Sequence, residues 1–324
     1  MTRRLWCSEA PAAEVRSARA ARRAAAAALV LLLCLGAFAS PESGRSDAVF
    51  ACAESLYAAG YYQAAITEYK RFLFLHPEAP TAGAAYHRIG LALRSTGRWT
   101  ESIAAIKRSI GSAESEEQKR RRQMDLLATM IAAGRYAGAE YEIARQAASL
   151  PEGGTDTARR ASLDTYAAIL YTLTHRWEEA EAAFARMATA ECAATRKGSG
   201  EWSDLLDLVE EARLARRKSP TVARWLSAFL PGAGQVYAGD LRSGLGALAV
   251  NSVSVTLLVA TLVQKRYLES ALLFLYAVGR FYGGNLYNAE VLAREWNRRT
   301  DEAYAERILQ ALAVLQRPAD EPGD

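Results

Sequence analysis

A short turn recurs along this 324-residue chain, and it constrains the fold more than any other feature of the sequence. Each copy has an aromatic residue two positions after a glycine, or after a histidine in the last copy. The pairs are Gly60 with Tyr62, Gly97 with Trp99, Gly134 with Tyr136, and His175 with Trp177. The first three copies lie about 37 residues apart, and self-similarity at such a period is typical of stacked helical hairpins. The sequence therefore predicts an all-α fold.

The residues around these turns resemble the tetratricopeptide repeat over residues 46–194, in about four copies. In the first copy, Ala53 and Ala65 supply the small side chains at which paired helices cross. In the second copy, Ser102 replaces the alanine that would lie opposite Gly90. Large apolar side chains follow in each copy, namely Tyr69, Ile106, Ile143 and Phe184. The resemblance implies a helical-hairpin solenoid that buries Tyr69, Trp99 and Trp177 between hairpins.

The resemblance also implies a groove, because the first helix of each hairpin lines the inner wall of such a stack. The residues placed on that wall are Phe50, Glu54, Tyr57, His87, Leu91, Arg94, Met124, Ala128, Thr165 and Ile169. Grooves of this kind hold extended or helical peptides, so the expected partner is an unidentified protein or peptide. The alternative that these residues only pack or face water stays open for each of them.

The N-terminus carries the pattern of a targeting segment. Arginines precede an uncharged, strongly apolar stretch, and the small residues Ala37 and Ala39 follow it. A basic region, a short apolar region and a small-residue site describe a secretory signal peptide, which we assign to residues 1–39. An uncleaved signal anchor is the alternative.

The C-terminal part predicts a membrane domain. An amphipathic linker helix over residues 201–218 comes first, followed by a glycine-rich motif: Pro231, Gly232, Gly234, Tyr237 and Gly239. Two largely uncharged segments near 243–264 and 267–289 are long enough to cross a bilayer as a hairpin. Residues 219–298 thus resemble small bacterial domains with two transmembrane helices, a family that implies membrane lipid as a partner but no chemistry.

Several polar residues interrupt these spans. Arg280 has three interpretations: it reaches towards an interface, it pairs with Glu269 or caps carbonyls near Pro231, or it lines a polar pathway. Asn251 is expected to hydrogen-bond with Asn285 or Asn288 across the hairpin.

Gly279 and Gly283 form a Gly-x-x-x-Gly pattern that permits close approach of helices. The approach would occur inside the hairpin or between copies of the protein, which makes a homo-oligomer one expectation. A surface helix over residues 299–316 and a disordered tail over 317–324 complete the predicted chain.

Composition excludes some classes of function. A net charge of +4 gives no argument for a nucleic-acid partner, and we assign the basic run at residues 119–122 to a solvated helix face. The three histidines lack metal-ligand spacing, and no phosphate-binding glycine loop is present. We therefore expect no enzyme and no cofactor. Cys52 is expected to be a small core residue, and a disulfide with Cys192 is the alternative.

Together these features predict a membrane-anchored scaffold that recruits a protein or peptide at the bacterial cell envelope. The alternatives are a membrane-active hairpin regulated by the repeats and a structural envelope component without a single ligand. The signal segment favours export, with the repeats on the periplasmic side of the inner membrane. Basic residues flanking the hairpin instead favour a cytoplasmic location for the repeats.

Overall fold

A computed structural model describes residues 42–150, 156–195 and 199–316 of the chain. Within these ranges the regular structure is entirely helical, which confirms the all-α prediction. The signal segment at 1–39 and the tail at 317–324 lie outside the described residues. The chain divides into two compact units, Met1–Tyr166 and Ala167–Asp324.

The first unit consists of short helices joined by tight turns. They are α1 (Glu42–Ala58), α2 (Tyr62–Leu75), α3 (Ala82–Ser95), α4 (Trp99–Gly111), α5 (Glu116–Ala132), α6 (Tyr136–Ala148) and α7 (Thr157–Leu173). The division between the units falls inside α7. The second unit continues with α8 (Trp177–Thr195), α9 (Ser199–Leu214), α10 (Pro220–Phe229), α11 (Ala233–Ala238), α12 (Leu241–Val263), α13 (Tyr267–Leu273), the π-helix π1 (Phe274–Tyr282) and α14 (Gly283–Leu315).

The recurring turns share one backbone geometry. Gly60, Gly97 and Gly134 have φ values of 82°, 75° and 67°, and His175 has a φ of 57°. In each turn the next amide donates to the carbonyl five residues earlier, as from Tyr61 to Leu56 at 2.9 Å. This is the hydrogen bond that closes a helix when a left-handed residue follows it, and glycine adopts that conformation without steric cost. The structure thus explains why glycine recurs at three of the four turns.

Small residues sit where consecutive helices cross. Ala53 and Ala65 are fully buried in the first helix pair. A Cβ added to Gly90 would lie 2.4 Å from Cγ1 of Ile106, so only glycine fits there. The Ser102 hydroxyl donates to the Gly90 carbonyl at 2.7 Å. Serine therefore substitutes for alanine at this crossing by using its hydroxyl on a backbone acceptor.

The predicted large apolar positions form the core of the repeats. Tyr69, Ile106 and Phe184 are completely buried, and Trp177 is buried as well. Trp99 is only half-buried, so the expectation for this tryptophan was wrong. It is the first residue of α4 and stands beside the exposed Gly97, where the open turn leaves part of the ring in solvent.

The basic run at residues 119–122 does not behave as one solvated face. Arg122 is 5% exposed and donates to the Ser109 carbonyl near the end of α4, and to Gln118 at 3.2 Å. Burial lowers the pKa of its guanidinium. Arg122 therefore donates to a carbonyl in the last turn of the neighbouring helix, a contact that charge patterning alone does not indicate.

The linker helix is shorter than predicted, because α9 ends at Leu214 rather than at residue 218. Leu205 and Val209 are buried, as the amphipathic pattern requires. The side chain of Asn297 on α14 bonds with both the amide and the carbonyl of Lys218, each at 2.8 Å. These bonds stabilise the non-helical segment between α9 and α10 and hold α14 against it.

One described helix, α12, is long and apolar enough to cross a membrane. The second apolar segment is not one helix, because it passes from α13 into π1 and then into α14. No break separates that segment from the predicted tail helix, since α14 runs without interruption from Gly283 to Leu315. The predicted boundary followed a change in hydropathy, and the sequence has no proline between Gly283 and Leu315 to interrupt the helix.

Candidate functional site

The predicted groove residues of the first unit lie on α1, α3, α5 and α7 and are mostly half-buried. Glu54 accepts hydrogen bonds from the Tyr69 hydroxyl at 2.6 Å and from Arg88 Nε at 2.9 Å. Burial raises the pKa of Tyr69, and the bond with Glu54 raises it further. The Glu54 carboxylate therefore joins α1, α2 and α3.

A second cluster centres on Asp125 of α5. Its Oδ2 lies 2.8 Å from His87 Nε2, and its Oδ1 lies 3.9 Å from Arg94 Nη1. Burial and the nearby Asp125 carboxylate raise the pKa of Tyr166. Sequence reasoning singled out His87 and Arg94 but missed Arg88 and Asp125, which also stand 37 positions apart, the interval from Gly60 to Gly97.

The remaining groove residues are largely engaged in packing. Phe50 makes edge contacts with Tyr69 and Phe72, with ring centroids 5.7 and 5.3 Å apart. Tyr57 packs against Tyr62 at 5.5 Å and lies under the Arg88 guanidinium. Leu91, Met124, Ala128 and Thr165 of the first unit are half-buried, and so is Ile169, which belongs to the second unit. The face therefore offers a partly apolar strip whose charges are already paired with one another.

The glycines of the glycine-rich motif are needed for two reasons: neighbouring backbones approach some of them closely, and others adopt a left-handed backbone conformation. Gly232 and Gly239 have φ values of 94° and 97°, at the two ends of α11. A Cβ on Gly234 would lie 1.9 Å from the Ala223 carbonyl oxygen, and one on Gly232 would lie 2.1 Å from the Gly244 oxygen. The motif thus packs α11 directly on the backbones of α10 and α12.

A buried amide network holds this packing together. Asn285 Oδ1 accepts from the Gly232 amide at 3.0 Å and from Gln235 Nε2 at 2.9 Å, while its Nδ2 donates to the Ser227 carbonyl at 2.9 Å. The Ser227 hydroxyl donates to Gln235 at 2.8 Å and accepts from the Gly234 amide at 3.0 Å. The network joins α10, α11 and α14, and its members satisfy one another.

Two tyrosine hydroxyls form hydrogen bonds with backbone groups at the two ends of α10. The Tyr237 hydroxyl accepts from the Ser219 amide at 3.1 Å, at the start of α10. The Tyr282 hydroxyl donates to the Ala228 carbonyl at 2.7 Å, near the end of α10. Sequence reasoning selected Pro231, Gly232, Gly234, Tyr237, Gly239 and Asn285 but missed Ser227, Gln235 and Tyr282. Gln235 stands inside the motif, so a buried amide between two required glycines was the available signal.

Asn251 does not bond with Asn285 or Asn288, and Arg280 does not pair with Glu269. Asn251 Nδ2 donates to the Ala247 carbonyl of its own helix at 2.7 Å, and Asn285 bonds within the network described above. Glu269 pairs with Arg266, so it does not pair with Arg280. Arg280 is instead exposed and lines a cavity of about 750 Å³ together with Asn251, Asn285 and Asn288.

Gly279 and Gly283 do not pack inside the hairpin. A Cβ added to either glycine would meet no atom within 4 Å. Gly279 lies in π1, and Gly283 is the first residue of α14. The interpretation that these glycines permit close packing within the hairpin is therefore wrong, and contact between copies remains a prediction.

Comparisons of the chain with protein-family models, with curated proteins and with solved structures find no match. Among the described residues, no group of three or more histidine, cysteine, aspartate or glutamate side chains is placed to hold a metal ion. What the geometry offers is a partly apolar strip in the first unit and, in the second, a cavity with polar and apolar lining beside an apolar helix.

Proposed function

We infer that the chain is a membrane-anchored scaffold that recruits a protein or peptide at the bacterial cell envelope. In this proposal a tetratricopeptide-like stack is joined to a transmembrane hairpin. The exposed apolar surface of α12 carries the proposal, because only 6% of its most apolar stretch is buried. A helix of 23 residues is about 34 Å long, enough for a hydrocarbon core of about 30 Å.

The turn after α12 supports a hairpin. Lys265 has a φ of 57°, and the next amide donates to the Thr261 carbonyl at 2.9 Å, as in the turns of the repeats. The Ser270 hydroxyl then donates to the Thr261 hydroxyl at 2.9 Å, which connects α13 to α12. The following segment runs back beside α12 and contains Arg280 in place of a purely apolar sequence.

The face of α10 supports an interfacial position for this helix. Trp225 is 61% exposed and Phe229 is 84% exposed, and their rings stack with centroids 6.2 Å apart. Ala223 and Ser227 of the same helix are buried. A helix with one packed face and one exposed aromatic face is typical of the boundary between headgroups and acyl chains.

The predicted signal segment and cysteine chemistry support the proposed location of the repeats. Cys52 of α1 is buried, as expected for a core residue, and it is disulfide-bonded rather than a free thiol. The side chains of the other three cysteines are not described. Disulfides persist in oxidising compartments, which supports a periplasmic rather than a cytoplasmic location for the repeats.

Site-specific photo-crosslinking in cells tests the recruitment. A photoreactive amino acid replaces Leu91 on the groove side of α3, and a matched control replaces Tyr141, which is 70% exposed on α6. We expect a discrete crosslinked species from Leu91 that is absent from Tyr141. Identical crosslinking patterns from both positions, or no crosslink from Leu91, would contradict a groove that binds a partner.

A further inference from the structure

The cavity beside α12 is lined by polar side chains that belong to apolar segments. The lining residues with polar side chains are Gln235, Ser243, Asn251, Arg280, Asn285, Tyr287 and Asn288. No aspartate or glutamate contributes to the lining. A cavity with a cation and amides but without a carboxylate favours an anion over a cation.

Arg280 has no ion pair or hydrogen bond with any residue in the described part of the chain, although it lies within the second apolar segment. The nearest acidic candidate in that segment, Glu269, already pairs with Arg266. A charged side chain within an apolar, membrane-inserted segment is costly, so it calls for a partner of opposite charge.

Most of the other polar groups of the cavity are already used. Gln235 and Asn285 bond within the buried network, Asn251 donates to Ala247, and the Ser243 hydroxyl donates to Asp240. Asn288, by contrast, makes no side-chain hydrogen bond with the residues that the structure describes and is exposed. The Tyr287 hydroxyl also lines the cavity without a hydrogen bond to the described residues. The Asn288 amide and the Arg280 guanidinium are therefore the two nitrogen donors that remain for a ligand.

The cavity has space between these two donors and an apolar wall beside them. Gly284 lies between them in sequence and also lines the cavity, and a Cβ added there would meet no atom within 4 Å. Val250, Phe281, Val291 and Leu292 line the same cavity. A polar end next to an apolar wall suits an amphiphile better than a small inorganic anion.

We propose that Arg280 and Asn288 bind the phosphate group of an anionic phospholipid whose acyl chains lie along the exposed face of α12. The guanidinium supplies charge-assisted hydrogen bonds to the phosphate oxygens, and the Asn288 amide supplies a neutral one. This inference rests on the proposed insertion of the hairpin in a membrane. It also gives the unpaired arginine a structural role without a polar pathway.

Native mass spectrometry of the full chain in mild detergent tests the site. Phosphatidylglycerol and phosphatidylcholine with the same acyl chains are added separately, and the dissociation constant of the first bound lipid is measured. Arg280→Gln is compared with Arg266→Gln, which removes the same charge from the exposed turn at the other end of the span. We expect Arg280→Gln to weaken binding of phosphatidylglycerol about tenfold relative to Arg266→Gln, the loss typical of one charge-assisted hydrogen bond.

Asn288→Ala is the second variant, because it leaves the charge in place. We expect it to weaken phosphatidylglycerol binding severalfold and to leave phosphatidylcholine binding unchanged. Equal phosphatidylglycerol binding by Arg280→Gln and Arg266→Gln would overturn the proposal. Displacement of the lipid by millimolar inorganic phosphate would also overturn it, since a free anion would then suffice.

Extraction with alkaline carbonate separates this proposal from the one on which it rests. All variants are expected to stay in the membrane pellet. Release of the unmodified chain would contradict insertion itself, whereas a retained chain with unchanged lipid binding in Arg280→Gln would contradict only the lipid site.

Discussion

Glu54 and Asp125 show how single residues organise the first unit. Each carboxylate joins side chains from neighbouring helices: Glu54 accepts from Tyr69 and Arg88, and Asp125 contacts His87 and Arg94. Such half-buried pairs contribute more than surface pairs do, because water screens them less. A charge reversal at Glu54 would therefore weaken helix packing as well as any groove.

Tyr69 makes the stability of the first unit sensitive to alkaline pH. Burial and the Glu54 bond raise its pKa in the folded protein, whereas an unfolded tyrosine loses its proton near pH 10. The stabilisation is therefore fully present below about pH 10 and is lost as the pH rises towards the folded value. We expect the melting temperature of the full chain in detergent to fall between pH 9 and pH 11.

The variant Tyr69→Phe tests the origin of that fall. It removes the titrating hydroxyl but keeps the buried ring, so its melting temperature should fall less steeply over the same pH range. Tyr141→Phe, at an exposed position on α6, is the matched control and should keep the full slope. A slope unchanged in Tyr69→Phe would show that another group titrates.

At the scale of elements, the glycine-rich motif allows three helices to pack closely. Gly234 allows α11 to touch the backbone of α10, and the Asn285 network then fixes α14 against both helices. Because the network is buried and complete, removing one member leaves the others without partners, which costs about 1–3 kcal/mol.

The substitution Gly234→Ala should therefore destabilise the second unit. Its Cβ would lie 1.9 Å from a backbone oxygen, which cannot move aside as a flexible side chain can. Overpacking of this kind costs about 1–3 kcal/mol. Gly246→Ala on α12 is the control, since its Cβ would meet no atom within 4 Å. Thermal melting of both variants in detergent should show a loss only in Gly234→Ala, and equal melting would contradict the packing.

Local periodicity was enough to predict most of the elements. The helices, the turn residues and the small residues at helix crossings repeat in sequence, so their positions could be assigned before any contact was known. The continuity of α14, the π-helix and the partners of Asn285 could not. The boundary of α14 was missed because it was placed at a change in hydropathy. The partners of Asn285 lie in a segment about 50 residues away, as Gln235 does, and no pattern within one helix encodes them.

The candidate site was predictable to a similar extent. The register placed Glu54, His87 and Arg94 on one side of the first unit, and the structure brings charged partners to each of them. It did not show that those charges are already paired. Within the described second apolar segment, Arg280 has no ion pair. The sequence could not indicate its surroundings, because Asn251 and Asn285 have partners that local patterns do not predict.

At the scale of the whole molecule, the proposal joins two functions in one chain: recruitment by the helical pairs and anchoring by α12 with the segment that follows it. The apolar surface of α12 supports anchoring, and the disulfide at Cys52 supports placing the first unit in an oxidising compartment. Orientation in the membrane is therefore the property on which the whole account depends.

Protease treatment of intact spheroplasts that express the full chain tests that orientation and the anchor together. Peptides released into the medium and peptides retained in the membrane pellet are identified by mass spectrometry. The account predicts that peptides from residues 42–166 are released, while a fragment containing residues 241–282 stays in the membrane. Protection of the first unit until the membrane is lysed would contradict its periplasmic location, and loss of the 241–282 fragment from the pellet would contradict the anchor.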